Sequence, residues 1–132
     1  MQEYKPQFVI IEDNLIDQFI TKKLLKKGLD VNPLYIANNG KEGIDWLLKN
    51  PNHNSLVIFL DIQMPIMNGY ETAKAIRNTT KGRDVPIIAV TAGAEKDERN
   101  KCISAGMDDY ISKPIMKGTV EEALIKWLGW FY

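Results

Sequence analysis

Short runs of strand-forming residues recur through this chain, each followed by a stretch with helical spacing, and that alternation constrains the fold more than any other feature. Gln7-Phe8-Val9-Ile10-Ile11 runs into Glu12-Asp13, and Leu56-Val57-Ile58-Phe59-Leu60 into Asp61. Ile87-Ile88-Ala89-Val90 runs into Thr91, and Asp109-Tyr110-Ile111-Ser112 into Lys113-Pro114. Near-continuous Val, Ile, Leu and Phe marks strands buried on both faces, the condition of a parallel sheet. Open parallel sheets bind ligands outside the carboxyl ends of their strands. Three acids, a hydroxyl and an ammonium are therefore expected in one crevice.

Between the strands, Asn14 reads as the cap of a first helix carrying Ile16, Phe19, Ile20 and Leu24 and stopped by Gly28. Pro33 opens a short strand over residues 34–37, closed by Asn38-Asn39-Gly40. A second helix carries Ile44, Leu47 and Leu48 and ends in Asn50-Pro51-Asn52. A third is expected from about Gly69 to Arg77, and a fourth from about 95 to 105 with Gly106 as terminator. The last shows Val120, Leu124, Trp127 and Leu128 along one stripe until Gly129. Five strands thus alternate with five helices, without an internal repeat. Parallel neighbours need right-handed helical crossovers, so the prediction is an α/β, flavodoxin-like doubly wound sheet. The order 2-1-3-4-5 fits best, because it sets the ends of strands one and three side by side at the switch point.

The 132 residues are read as one domain, 1–132, with 17 basic and 17 acidic residues in balance. Lys22-Lys23 and Lys26-Lys27 form the only dense basic stretch, on a solvated helix face, so no nucleic-acid partner is expected. Cys102 is the sole cysteine, which rules out an intrachain disulfide and fits a small core residue. No apolar stretch approaches a membrane span and the amino terminus has no leader pattern, so the expectation is a soluble cytoplasmic protein.

Carboxylates that converge repel one another, and a hard divalent cation removes the conflict. The expected cofactor is Mg2+, bound directly by Asp13 and Asp61, with Glu12 acting through water and the Gln63 carbonyl adding a ligand. Asp61 ends the most apolar strand and is assigned the nucleophile that forms an aspartyl phosphate. Lys113 and the Thr91 hydroxyl would neutralise the peripheral phosphoryl oxygens beside the metal. Each residue has an ordinary explanation when taken alone. Glu12-Asp13 could be first-turn acids, Asp61 a turn residue, Thr91 a helix cap and Lys113-Pro114 a turn. It is four strand ends with complementary chemistry that favour a site. His53 reads as a solvated loop residue.

At these residues the chain resembles the receiver domain of bacterial two-component response regulators over essentially its whole length. The resemblance is carried by Glu12-Asp13, by Leu60-Asp61-Ile62-Gln63-Met64-Pro65-Ile66-Met67-Asn68-Gly69, by Val90-Thr91-Ala92, by Gly106-Met107-Asp108-Asp109-Tyr110 and by Lys113-Pro114. It implies a phosphoacceptor that is not itself an enzyme, taking a phosphoryl group on Asp61 from a histidine kinase or histidine phosphotransfer protein. It also implies magnesium on Asp13, Asp61 and the Gln63 carbonyl, phosphate contacts from Thr91 and Lys113, and Tyr110 as an aromatic switch. That switch would be coupled to Thr91 and read out on the face of helix four, strand five and helix five. Gln63 and Gly93 would flank the approach of water, with glycine leaving its side open. Glu12 stands where many members carry Asp.

Members with such motifs are often attached to hybrid kinases, so a stand-alone protein and an excised module both fit. Only Trp130-Phe131-Tyr132 follow the last helix, so the expected output is an unknown downstream protein, a further phosphoryl transfer or an association such as a phosphorylation-dependent dimer. Two alternatives belong to other classes. One is a docking receiver that is never phosphorylated, disfavoured because all five key residue types are present. The other is a magnesium-dependent phosphatase with an aspartate nucleophile, which needs a second acid where Ile62, Gln63 and Met64 stand.

Overall fold

The computed structural model describes residues 7–50, 56–80, 82–93 and 96–128. His53, Glu95, Gly129 and the Trp130-Phe131-Tyr132 tail lie outside the described residues. Five strands, β1 (Gln7–Ile11), β2 (Tyr35–Ala37), β3 (Leu56–Asp61), β4 (Ile87–Thr91) and β5 (Asp109–Ser112), form one sheet in the order β2-β1-β3-β4-β5. All neighbours are parallel, and the register sets Ile11 opposite Leu60, Asp61 opposite Val90 and Thr91 opposite Ser112. The predicted order is the observed one, and the strand ends lie along one edge. Helices α1 (Leu15–Leu29), α2 (Gly40–Lys49), α3 (Gly69–Arg77), α4 (Lys96–Ser104) and α5 (Lys117–Leu128) alternate with the strands.

Both faces of the sheet are covered, which is why the strands read as unbroken apolar runs rather than alternating ones. Val9, Ile11, Ile58, Leu60, Ile87 and Ala89 build one core layer with Leu47, Ala73, Ile76 and Cys102. Phe8, Ile10, Val57, Phe59, Ile88 and Val90 build the other with Leu25, Leu29, Val120 and Leu124. Phe8 and Phe59 stack at 5.4 Å across the β1–β3 pair. Cys102 is buried and free. Among the described residues no helix is long and apolar enough to cross a membrane.

The helix starts follow side-chain capping. Asn14, Asn39 and Asn68 each accept a hydrogen bond from the backbone N–H three residues on, and Asn68 forms a reciprocal capping box with Glu71. The expectation for α1 needs one correction: the helix passes through Gly28 to Leu29 and ends at Asp30, which takes a left-handed φ of 53°. Gly28 lies against the Lys117 side chain, with Cγ 3.3 Å from where a Cβ would stand. The Ile16, Phe19, Ile20 stripe faces outward, at 71%, 62% and 41% exposure, while Thr21, Leu25 and Leu29 face the sheet. The sheet covers one narrow i, i+4, i+8 line, and the apolar set of α1 is wider than that line.

Two contacts fix the loops that carry the strand ends. Arg77 donates to the Gly82, Val85 and Gly106 carbonyls and pairs with Asp108 at 2.8 Å, tying α3 to the loops flanking β4. Gly69 lies flat against the end of β3, with its N–H donating to Ile62 O at 2.8 Å. A Cβ on Gly69 would fall 2.6 Å from both the Asp61 carbonyl oxygen and Ile62 Cα. Backbone does not yield as a side-chain tip does. Gly69→Ala should therefore lower stability by about 1–3 kcal/mol, read as a lower urea midpoint with an unchanged slope.

Candidate functional site

Each site residue sits at or just past the carboxyl end of a strand. Glu12 and Asp13 follow β1, Asp61 ends β3, Thr91 ends β4 and Lys113 follows β5. Backbone bonds lock these ends together: Glu12 N–H donates to Ala37 O at 3.0 Å, and Lys113 N–H to Thr91 O at 2.7 Å. The result is an acidic group in which carboxylate oxygens of Glu12, Asp13 and Asp61 lie within 4.8 Å of one another. Glu12 and Asp61 are buried at 4% and 5% exposure, whereas Asp13 is open to solvent.

Lys113 answers that negative charge. Its ammonium lies 3.0 Å from Glu12 Oε1, 3.5 Å from Asp61 Oδ1 and 2.8 Å from Asp17 Oδ2. Burial works against the Lys113 charge, but the hydrogen bonds to Asp17 and Glu12 and the nearby Asp61 and Glu12 charges hold its pKa above the ordinary range. Burial pushes the Asp61 carboxyl up to about 7, helped by its hydrogen bond with Glu12 and by the Glu12 charge. Lys113 and the Gln63 backbone N–H pull the other way. Glu12 itself is anchored by Asn14 N–H, which donates to Oε2 at 3.1 Å.

The hard oxygen donors of Glu12, Asp13 and Asp61 fit a small divalent cation such as magnesium, which keeps several of its waters. The Gln63 side chain points to solvent, and its described link to the site is the backbone N–H bonded to Asp61. Thr91 is nearly inaccessible at 1% exposure, and its hydroxyl donates to Glu98 Oε1 on α4 while accepting from Gly93 N–H at 3.0 Å. The space beside Gly93 is not open, as a Cβ there would meet Glu98 Oε2 at 2.6 Å. Tyr110 is half-buried, with the Arg99 guanidinium 5.9 Å from its ring centroid.

Two of these residues escaped the reading of the sequence. Asp17 lies in the first turn of α1, where an acid reads as an ordinary partner of the helix dipole. Glu98 stands in a charged helix and has no local signal at all.

Comparison with known proteins agrees with this geometry. The family model described as "Response regulator receiver domain" matches residues 8–125. Hybrid signal transduction histidine kinase I of Dictyostelium discoideum is 43% identical over 116 residues, covering 83% of this chain and 6% of that protein. The chain thus spans only a small part of the curated relatives it matches. Among solved structures, the receiver domain of sensor histidine kinase PA1611 from Pseudomonas aeruginosa PAO1, with a magnesium ion in its active-site cleft, superposes with a TM-score of 0.77 at 29% identity, covering 95% of this chain and 99% of that one. The co-crystal structure of the Saccharomyces cerevisiae histidine phosphotransfer protein Ypd1 with the receiver domain of Ssk1 gives a TM-score of 0.78 at 29% identity, over 96% and 91%.

The raised Asp61 pKa makes protons and metal competitors. Folded Asp61 keeps its proton up to about pH 7 and the unfolded carboxyl loses it near 3.8, so the Asp61 contribution to metal-free stability should be full below pH 4 and be lost as pH rises to 7. Magnesium selects the ionised form. Its apparent affinity should fall by up to about tenfold per pH unit below 7, which calorimetric titrations at pH 8, 7 and 6 would measure.

Proposed function

The chain belongs to the response regulator receiver domains, and on that premise we propose that it is the phosphoacceptor of a two-component phosphorelay, taking a phosphoryl group from phosphohistidine onto Asp61. The observation that carries this reading is the convergence of Glu12, Asp13 and Asp61 around the Lys113 ammonium at the carboxyl edge of the sheet. A receiver is a signalling phosphoacceptor module rather than a true enzyme. What it must do is place one carboxylate oxygen, neutralise charge and exclude competing water.

Asp61 is held for that purpose. Its strand is buried throughout, and the Gln63 N–H bond favours the ionised, nucleophilic form. In the proposed transfer an Asp61 Oδ bonds to phosphorus as the phosphorus–nitrogen bond of the donor breaks, and the electron pair of that bond leaves with the imidazole. Asp13, Asp61 and the Gln63 carbonyl, with Glu12 acting through water, would hold magnesium, and the bound ion would supply positive charge for the phosphoryl oxygens. Lys113 already bridges Glu12 and Asp61, so a phosphoryl group on Asp61 arrives within reach of its ammonium. Thr91, once turned toward the crevice, supplies a hydroxyl donor to another oxygen, and Tyr110 carries the change to the face of α4, β5 and α5.

The donor protein needs a landing surface beside the crevice, and the outward side of α1 supplies one. Ile20 flanks Asp17 and Lys113, while Phe19, Ile20 and Leu24 line a shallow groove edged by Lys23, Lys27 and Lys117. We assign this face to the histidine kinase or phosphotransfer partner. Incubation with acetyl phosphate and magnesium should add one phosphoryl group by intact mass, and Asp61→Asn should abolish it. Phe19→Asp should leave acetyl phosphate labelling unchanged yet slow transfer from a phosphorylated histidine phosphotransfer protein by about tenfold or more. Labelling that persists in Asp61→Asn would remove Asp61 from the role.

A further inference from the structure

The Thr91 hydroxyl is engaged on both sides. It has one proton to give, and that proton goes to Glu98 Oε1, while Gly93 N–H donates to the oxygen at 3.0 Å. Phosphoryl oxygens are acceptors and need a donor. A phosphoryl group on Asp61 and the Glu98 carboxylate therefore compete for the same O–H, and only one of them can hold it.

We propose that Glu98 is a positioning residue that latches the receiver in its unphosphorylated arrangement by occupying the Thr91 hydroxyl. The inference rests on the phosphoacceptor reading of Asp61 and adds a competitor from within the fold. Among the described residues, Thr91 is the hydrogen-bond partner of the Glu98 side chain, and no ion pair to that carboxylate is present. Its attachment to Thr91 is thus the interaction that a phosphoryl group has to replace. Glycine at 93 is part of the device, since a Cβ there would lie 2.6 Å from Glu98 Oε2 and push the carboxylate off.

The latch also explains how a change at Thr91 reaches Tyr110. Glu98 and Arg99 are consecutive on α4, the first bonded to Thr91 and the second lying 5.9 Å from the centre of the Tyr110 ring. Releasing Glu98 frees the turn of α4 that also holds Arg99 over Tyr110. A phosphoryl group need only outcompete one charge-assisted hydrogen bond to bias both residues.

The test uses beryllofluoride with magnesium as a non-covalent mimic of the phosphoryl group on Asp61, and reads its affinity by calorimetry. Glu98→Ala should bind the mimic roughly tenfold more tightly than the parent, the ratio expected for loss of one competing charged hydrogen bond. Glu98→Gln, which keeps the shape and an acceptor oxygen but loses the charge, should fall between them and carries the test if the alanine variant does not fold. Gly93→Ala should shift affinity in the same direction as Glu98→Ala. Magnesium affinity without beryllofluoride should be unchanged, and in a Thr91→Ala background the effect of Glu98→Ala should vanish. A residue that merely supported the fold would weaken binding when removed. Failure of the parent chain to bind the mimic would overturn the phosphoacceptor reading itself. Binding by the parent with no gain in the Glu98 variants, or a gain that persists without the Thr91 hydroxyl, would overturn the latch alone.

Discussion

The Lys113 ammonium is the interaction on which the rest of this site depends. Glu12 and Asp61 are both nearly buried, and carboxylates in such a position repel and lose hydration with no return unless a positive charge meets them. Lys113 meets both, at 3.0 Å and 3.5 Å, from a loop that β5 delivers and that the Thr91 carbonyl pins in place. The sheet order follows the same logic. Acids on β1 and β3 are adjacent only where the winding reverses, and there the crevice opens.

The fold was legible because its signals are local. Parallel strands covered on both faces announce themselves as unbroken apolar runs, and Asn14 and Gly69 mark the starts of α1 and α3 within a few residues. The orientation of α1 was not legible in the same way. Periodicity reveals that Ile16, Phe19 and Ile20 share a side of the helix but carries no information on whether the sheet or a partner covers it. Gly28 misled for a related reason, since a glycine inside a helix looks from sequence like one that ends it.

The convergence of the strand-end acids was legible, whereas their charge partners were only partly so. Asp17 pairs with Lys113 across 96 positions of sequence, and no composition or spacing rule links a first-turn acid of α1 to a lysine after β5. Glu98 belongs to a polar helix whose charges read as solvated, yet its carboxylate turns inward to a threonine at 1% exposure. Such contacts exist only once the topology has brought the elements together.

These hidden partners alter how the resting site should be understood. On the proposed reading a phosphoryl group recruits Lys113 and Thr91, and in the structure both are already held by carboxylates, Lys113 by Asp17 and Glu12 and Thr91 by Glu98. The domain thus satisfies its own donors with its own acids, which keeps the crevice stable while it waits. A phosphoryl group carries more charge than any one of these carboxylates and reaches both donors from a single atom of Asp61. On the same reading it displaces several internal partners in one step, and the difference in donor satisfaction between the two arrangements, rather than the absolute strength of either, would set the population of the signalling state.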